Sequence, residues 1–197
     1  MRVTLLLAHP APDSLTHRFA DHLQTDLEQR GHAVTRRDLY AEGYAPLRDR
    51  DTHNRYRAQT PSPDQNGLSK TEGLVMVFPV WWGGPPAILK GWMDQELAPG
   101  VAYHPPDRAG GPLRPGLTNL RAALVVTTMG APAWYDRLVM RQPLRRILHK
   151  GVLRPCAPQA RFDMLSFHGA DHPAAHRLRG FETRLSRASS HLFPTEA

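Results

Sequence analysis

The chain has 197 residues, enough to bury a core without a disulfide or metal staple, and its 41% hydrophobic and 22% charged residues are ordinary globular usage that excludes a disordered or fibrous chain. Lys+Arg exceed Asp+Glu by 25 to 18, and all but Lys70, Lys90 and Lys150 of those cations are arginine. A lone cysteine, Cys156, excludes a disulfide framework and a Cys-rich zinc site, and no apolar run reaches the roughly 18 residues of a membrane span. With no signal-peptide layout at the N-terminus, the expectation is a single domain over 1–197 in the cytoplasm.

In chain order, the apolar run from Arg2 to Ala8 has the length of a buried parallel strand. Pro10, Pro12 and Asp13 punctuate a loop, with Asp13 or Ser14 able to cap a helix in which Phe19, Leu23 and Leu27 recur every four residues before Gly31. Ala33 to Asp38 reads as a second, shorter strand. Residues 41–69, with Pro61, Ser62, Pro63 and Gly67, read as an irregular excursion holding a short helix. Leu74 to Phe78 is a third buried strand, broken by Pro79, and Pro85-Pro86 open a helix carrying Ile88, Leu89, Trp92 and Met93.

The stretch 99–119 holds five prolines and four glycines and reads as an ordered loop. Ala122 to Thr128 is a fourth strand. A helical stretch from Trp134 to Lys150 follows, kinked or restarted at Pro143, and on it Arg137, Arg141 and Arg145 form a stripe. Phe162 to His168 alternates as a fifth strand, and Leu178, Phe181, Leu185, Ala188 and Leu192 mark a last helix. Strands alternating with helices predict an α/β fold, a flavodoxin-like doubly wound five-stranded parallel sheet of order 2-1-3-4-5. In such sheets ligands bind beyond the carboxyl ends of the strands, so the loops after strands one, three and four are the candidate site.

The first of these loops, His9 to Thr16, offers hydroxyls at Ser14 and Thr16 and the free N–H groups of a helix start, a setting for phosphate. It carries neither G-x-G-x-x-G nor G-x-x-x-x-G-K-[ST], which disfavours a dinucleotide Rossmann site and a P-loop. The second loop, Phe78-Pro79-Val80-Trp81-Trp82-Gly83-Gly84, sets two indoles beside approachable backbone, a wall suited to a planar ring such as isoalloxazine. The third, Thr127-Thr128-Met129-Gly130 followed by Trp134-Tyr135, offers hydroxyls and N–H groups to a polar ring edge.

With His9-Pro-x-x-x-Ser14, F-P-V-W-W-G-G-P-P-A-I-L-K-G-W from Phe78 to Trp92, V-A-Y at Val101–Tyr103, G-P-L-R-P-G at Gly111–Gly116 and T-T-M-G at Thr127–Gly130, the sequence resembles the flavodoxin-2 family over roughly residues 2–170. That family comprises NAD(P)H:quinone oxidoreductases of the DT-diaphorase and modulator-of-drug-activity types and the ancillary subunits of potassium efflux systems. The resemblance implies bound FMN or FAD, NADPH or NADH as hydride donor, and two-electron ping-pong reduction of quinones, nitroaromatics or azo dyes. It implies that His9, Ser14, Leu15 and Thr16 contact the flavin phosphate and ribityl groups. Pro79, Val80, Trp81 and Trp82 would line the isoalloxazine, and Thr127, Thr128, Met129 and Gly130 its polar edge. Tyr135 matches a family tyrosine near the reacting ring and is the candidate catalytic residue. Two positions depart from the pattern: Thr16 stands where the family often has Asn, and Met129-Gly130 where it often has two glycines. The family's nearby histidine has no match.

The resemblance further implies a homodimer whose partner subunit completes the ring site. The alternative function is a regulatory flavoprotein of a potassium-efflux transporter, docking through the arginine stripe. A phosphatase needs Cys-x5-Arg, and Cys156 and Arg161 have only four residues between them. No nucleic-acid-binding module is recognisable, so no nucleic-acid partner is expected. The run His168, His172, His176 is interrupted by Gly169 and Pro173, so no metal is expected either.

Overall fold

A computed structural model describes residues 1–58, 67–108 and 110–195. Five parallel strands form one sheet: β1 (Arg2–Leu7), β2 (Ala33–Asp38), β3 (Gly73–Pro79), β6 (Ala122–Met129) and β7 (Arg161–His168). Their order is β2-β1-β3-β6-β7, which in the sheet's own count is 2-1-3-4-5. The two central strands β3 and β6 are buried along their whole lengths, as covered parallel strands must be. Alternation sends Leu5, Leu7, Val75 and Val77 to one face and Leu6, Met76 and Phe78 to the other.

The first face is covered by α1 (Leu15–Gln29) and a C-terminal helix, α5 (Ala175–Leu192), joined by a Phe19–Phe167–Phe181 cluster with ring centroids 4.9–5.5 Å apart. The other is covered by α3 (Ala87–Glu96) and by the helical segment 143–156. α3 approaches residue 46 so closely that a Cβ on Gly91 would collide with the Pro46 carbonyl oxygen. The expected short helix of the 41–69 excursion is α2 (Arg50–Ala58), whereas Pro61, Ser62 and Pro63 lie outside the described residues.

Three elements differ from the sequence reading. Pro79 does not break the third strand: it stays in register opposite Thr128, and the chain keeps pairing through Val80 N–H to the Thr128 carbonyl at 2.8 Å. The loop 99–119 carries a small antiparallel pair, β4 (Tyr103–His104) with β5 (Arg114–Pro115). The third concerns residues 134–150: the helix restarts at Pro143 as expected, but what precedes it is a separate π-helical turn and not a continuation of the same helix. A π-helical turn (Tyr135–Val139) ends where Arg141 and Gln142 adopt left-handed φ of 57° and 49°, and Pro143 restarts the helix as α4 (Pro143–Arg146). It continues as a π-helical stretch (Ile147–Leu153) and one α turn (Arg154–Cys156). Arg137, Arg141 and Arg145 therefore share no helix face. Arg145 instead turns inward to Asp163 and the Met164 carbonyl, at 3.3 and 3.2 Å. The stripe on which a transporter-docking face rested is not formed.

Candidate flavin site

The carboxyl ends of β1, β3 and β6 open into a cavity of about 280 Å³. His9, Ser14, Leu15 and Thr16 line it from the β1–α1 loop, Pro79, Val80 and Trp81 from the end of β3, and Thr128, Met129 and Gly130 from the end of β6. Ten of the twelve candidate cofactor residues thus share one space. A neighbouring cavity of about 340 Å³ has Val80, Met129 and Gly130 as common walls and continues to Trp82, Tyr135 and Met140. The two cavities adjoin along those shared residues and form one cleft region, polar at α1 and more apolar where Tyr135 lines it.

The polar end is built by helix geometry. Ser14 is the N-cap of α1 and accepts the His17 N–H at 3.3 Å, and Arg18 N–H closes on the Ser14 carbonyl. That leaves the Leu15 and Thr16 N–H groups without an acceptor among the described residues, two of the orphan donors of a helix start. They point, with the positive end of the helix dipole, toward whatever the cavity holds, which is the donor set an anion needs. Thr16, buried, sets its Oγ1 3.3 Å from Thr128 Oγ1 and so ties the first loop to the third. His9 is braced by its own loop, its Nδ1 accepting the Ala11 N–H at 3.0 Å, and its ring lies 6.3 Å from Trp81.

The indole wall comes from a tight turn in which Trp81 and Gly84 exchange two backbone hydrogen bonds of 3.0 Å. Both central residues are left-handed, Gly83 at φ 75° and Trp82 at φ 50°. A left-handed tryptophan costs about 1–2 kcal/mol, and here it leaves the indole wholly exposed at the cleft mouth. Thr127 is the candidate residue the cleft does not take: its hydroxyl donates to Ser166 at 2.9 Å, across the β6–β7 seam. Thr128, one position on, faces the cavity instead.

Tyr135 lines the apolar cavity at the start of the π-helical turn, its ring 5.8 Å from Trp134 and perpendicular to it. Beside it stands a pair the sequence reading missed. Asp136 lines the same cavity and takes a 3.2 Å hydrogen bond from His168 at the end of β7, both side chains largely buried. The two are 32 positions apart and no motif links them; only the strand order brings them together. Asp171 and Ala170 also line the phosphate-side cavity. A Cβ on Gly130 would meet Asp171 Oδ2 at 2.6 Å, so the glycine lets this loop close against the end of β6.

The donor set and the shape fit a flavin mononucleotide: anion-binding amides at one end, an apolar slot with approachable backbone at the other. Comparison with known proteins agrees with that chemistry. The rat NAD(P)H dehydrogenase (quinone) 1 is 28% identical over 93% of this chain and 76% of its own length. The human ribosyldihydronicotinamide dehydrogenase (quinone) is 28% identical over 84% of this chain and 81% of its own. An Escherichia coli protein described as an uncharacterized NAD(P)H oxidoreductase is 36% identical, over 52% of this chain and 55% of that protein. The fold matches that of an NAD(P)H:quinone oxidoreductase from Methanothermobacter marburgensis with a TM-score of 0.83, at 20% identity, covering 100% of this chain and 99% of that one. The family model Flavodoxin_2, described as a flavodoxin-like fold, matches residues 1–190, and this chain belongs to that family.

Proposed function

We propose that this protein is an NAD(P)H:acceptor oxidoreductase that holds FMN in the cleft and reduces small acceptors, quinones foremost, with NADPH or NADH as donor. Bound flavin supplies the relay of a hydride from nicotinamide to acceptor in two alternating half-reactions at one face. The observation that carries this reading is the adjacency of the two cavities, one opening on the unpaired Leu15 and Thr16 amides and the other lined by Tyr135. The names of the rat and human relatives support quinones as the acceptor class.

In this reading the helix start, with Ser14 and Thr16, holds the phosphate, and His9 closes over the ribityl chain. Val80, Trp81 and Trp82 take the flat ring. The backbone at Met129 and the free N–H of Gly130 meet its polar edge, where negative charge builds on reduction. The Tyr135 phenol shares or protonates the oxyanion left on a reduced quinone. Trp82 lines that end of the cleft, and it and Trp134, Leu138, Val139 and Ile147, from the segment 134–150 that bears Tyr135, are all exposed. An apolar surface of this kind calls for a cover, and a second copy of the chain supplies it in a homodimer.

Purified protein tests the reading directly. It should show flavin absorbance or gain it with added FMN, the released flavin should be FMN rather than FAD, and initial rates against NADPH and a quinone should give parallel double-reciprocal lines. A protein that takes up no flavin and gains no thermal stability from it would overturn the proposal.

A further inference from the structure

A three-membered side-chain relay lies behind the polar end of the cleft. Ser14 Oγ is 3.0 Å from His17 Nδ1, and His17 Nε2 is 3.1 Å from Asp38 Oδ2 at the end of β2. Asp38 is held in turn by the Ala41 N–H on its other oxygen, at 3.2 Å. His17 is 8% exposed, so this ring is packed in place between α1 and β2. We propose that His17 is a positioning residue for the flavin phosphate: it takes up a proton as the phosphate binds and thereby frees the Ser14 hydroxyl to donate to it. This rests on the reading that the start of α1 holds that phosphate.

A carboxylate only accepts, so Asp38 keeps the hydrogen of neutral His17 on Nε2 and leaves Nδ1 as a bare lone pair. Ser14 has one hydrogen and must give it to Nδ1. Its oxygen also receives the His17 backbone N–H, so it has only a lone pair left to face the cavity. A phosphate oxygen gains nothing from a lone pair. When His17 carries a second proton, Nδ1–H donates to Ser14 Oγ. Both serine lone pairs are then filled by N–H donors, and the hydroxyl hydrogen turns outward into the cavity that Ser14 lines. Phosphate and proton therefore raise each other's affinity, by reciprocity of linkage.

The groups around the ring favour this role. Asp38 balances the imidazolium charge from β2, and the His9 ring stands perpendicular at 6.2 Å from the β1–α1 loop. The nearby arginines of β2 are committed elsewhere, Arg36 to Asp21 on α1 and Arg37 to Glu42. Asp38 is the one ion-pair partner of His17 among the described residues.

Calorimetric titration of the flavin-stripped full-length chain with FMN, in two buffers of different ionisation enthalpy at pH 8, counts the protons taken up. At that pH the phosphate has already shed its second proton, of pKa roughly 6, so it contributes none. Wild type should take up a measurable fraction of one proton per FMN and none per riboflavin, which lacks the phosphate. His17→Gln should bind FMN about tenfold more weakly with riboflavin affinity unchanged, and should take up no proton. Asp38→Asn, which keeps an acceptor for Nε2 but removes its charge, should lower the uptake while retaining the fold. FMN binding without proton uptake in wild type, or uptake retained in His17→Gln, would overturn the relay and leave the flavin site standing. No binding of FMN would overturn both.

Discussion

Thr16→Glu is the sharpest test of where the phosphate sits. Thr16 is buried, lines the cavity of about 280 Å³, and its hydroxyl lies 3.3 Å from that of Thr128. A glutamate there extends a carboxylate into the space the phosphate would occupy and competes for the Leu15 and Thr16 amides. Two unit charges about 4 Å apart repel by about 4 kcal/mol at an effective dielectric near 20. A partly hydrated phosphate keeps most of that penalty, so FMN should bind about 10²- to 10³-fold more weakly. The lost Thr16–Thr128 contact should cost about 1 kcal/mol of fold stability, independent of ligand. Riboflavin separates the two effects, since it keeps the ring and ribityl chain but carries no charge for the carboxylate to repel. Fluorescence titration of wild type and variant with both ligands gives the ratio. Equal losses for FMN and riboflavin, or none for FMN, would place the phosphate away from α1.

Tyr135→Phe should leave flavin content and melting temperature unchanged and slow the oxidation of the reduced enzyme by a quinone about tenfold, roughly 1.4 kcal/mol of barrier, in a stopped-flow trace. An unchanged rate would leave Tyr135 a packing residue. Burial pushes the Cys156 thiol up to about 11, so at pH 8 the native protein should resist a thiol reagent until denaturant opens the core; fast labelling of the folded state would contradict the burial. Arg18 on α1 donates to Glu182 on α5 at 2.7 Å, which holds the Glu182 carboxyl below its usual range. The pair is therefore fully present above the ordinary glutamate value and fades as pH falls through the lowered one. A double-mutant cycle should give only about 0.5–1 kcal/mol at pH 7, since Arg18 is half exposed, and a smaller coupling as acid protonates Glu182. A coupling that grew on acidification would contradict the ion pair.

The inner strands were legible because parallel strands buried on both faces must read as apolar runs, as Ala122–Met129 and the core of β3 do, whereas the edge strand Ala33–Asp38 is part-exposed and carries Arg36, Arg37 and Asp38. The three site loops were legible for a related reason, since a doubly wound sheet leaves only the strand ends open. What stayed hidden depends on distances no local pattern encodes. Pro143 signalled the restart, but the left-handed Arg141 and Gln142 that separate the two helical pieces are neither glycine nor preceded by a turn signal. Helical spacing of three arginines suggested a face that this break dissolves. Asp136–His168 and His17–Asp38 are each joined by the fold rather than by sequence, and both partners in each case would pass for ordinary surface polar residues. Thr127 shows strand alternation instead. It sits in the motif, yet its hydroxyl bonds Ser166 on the neighbouring strand, and Thr128 lines the cavity.

The two places where the chain departs from the pattern it resembles, Thr16 and Met129-Gly130, line the same cavity. A second glycine before Gly130 would matter if the backbone there required a left-handed turn, but β6 runs in register through Met129, opposite His168, and the only left-handed non-glycine residues among the described ones lie elsewhere. An extended backbone accepts a side chain, so the methionine costs no strain and becomes the shared wall of both cavities. Its carbonyl accepts the Ala170 N–H at 3.0 Å, which draws the β7–α5 loop against the cleft. Thr16 reaches Thr128, the neighbour of that methionine, through its hydroxyl at 3.3 Å. Thr128 in turn offers its carbonyl to Val80 N–H. The ends of α1, β3 and β6 are thereby fastened through a single residue whose backbone belongs to the sheet.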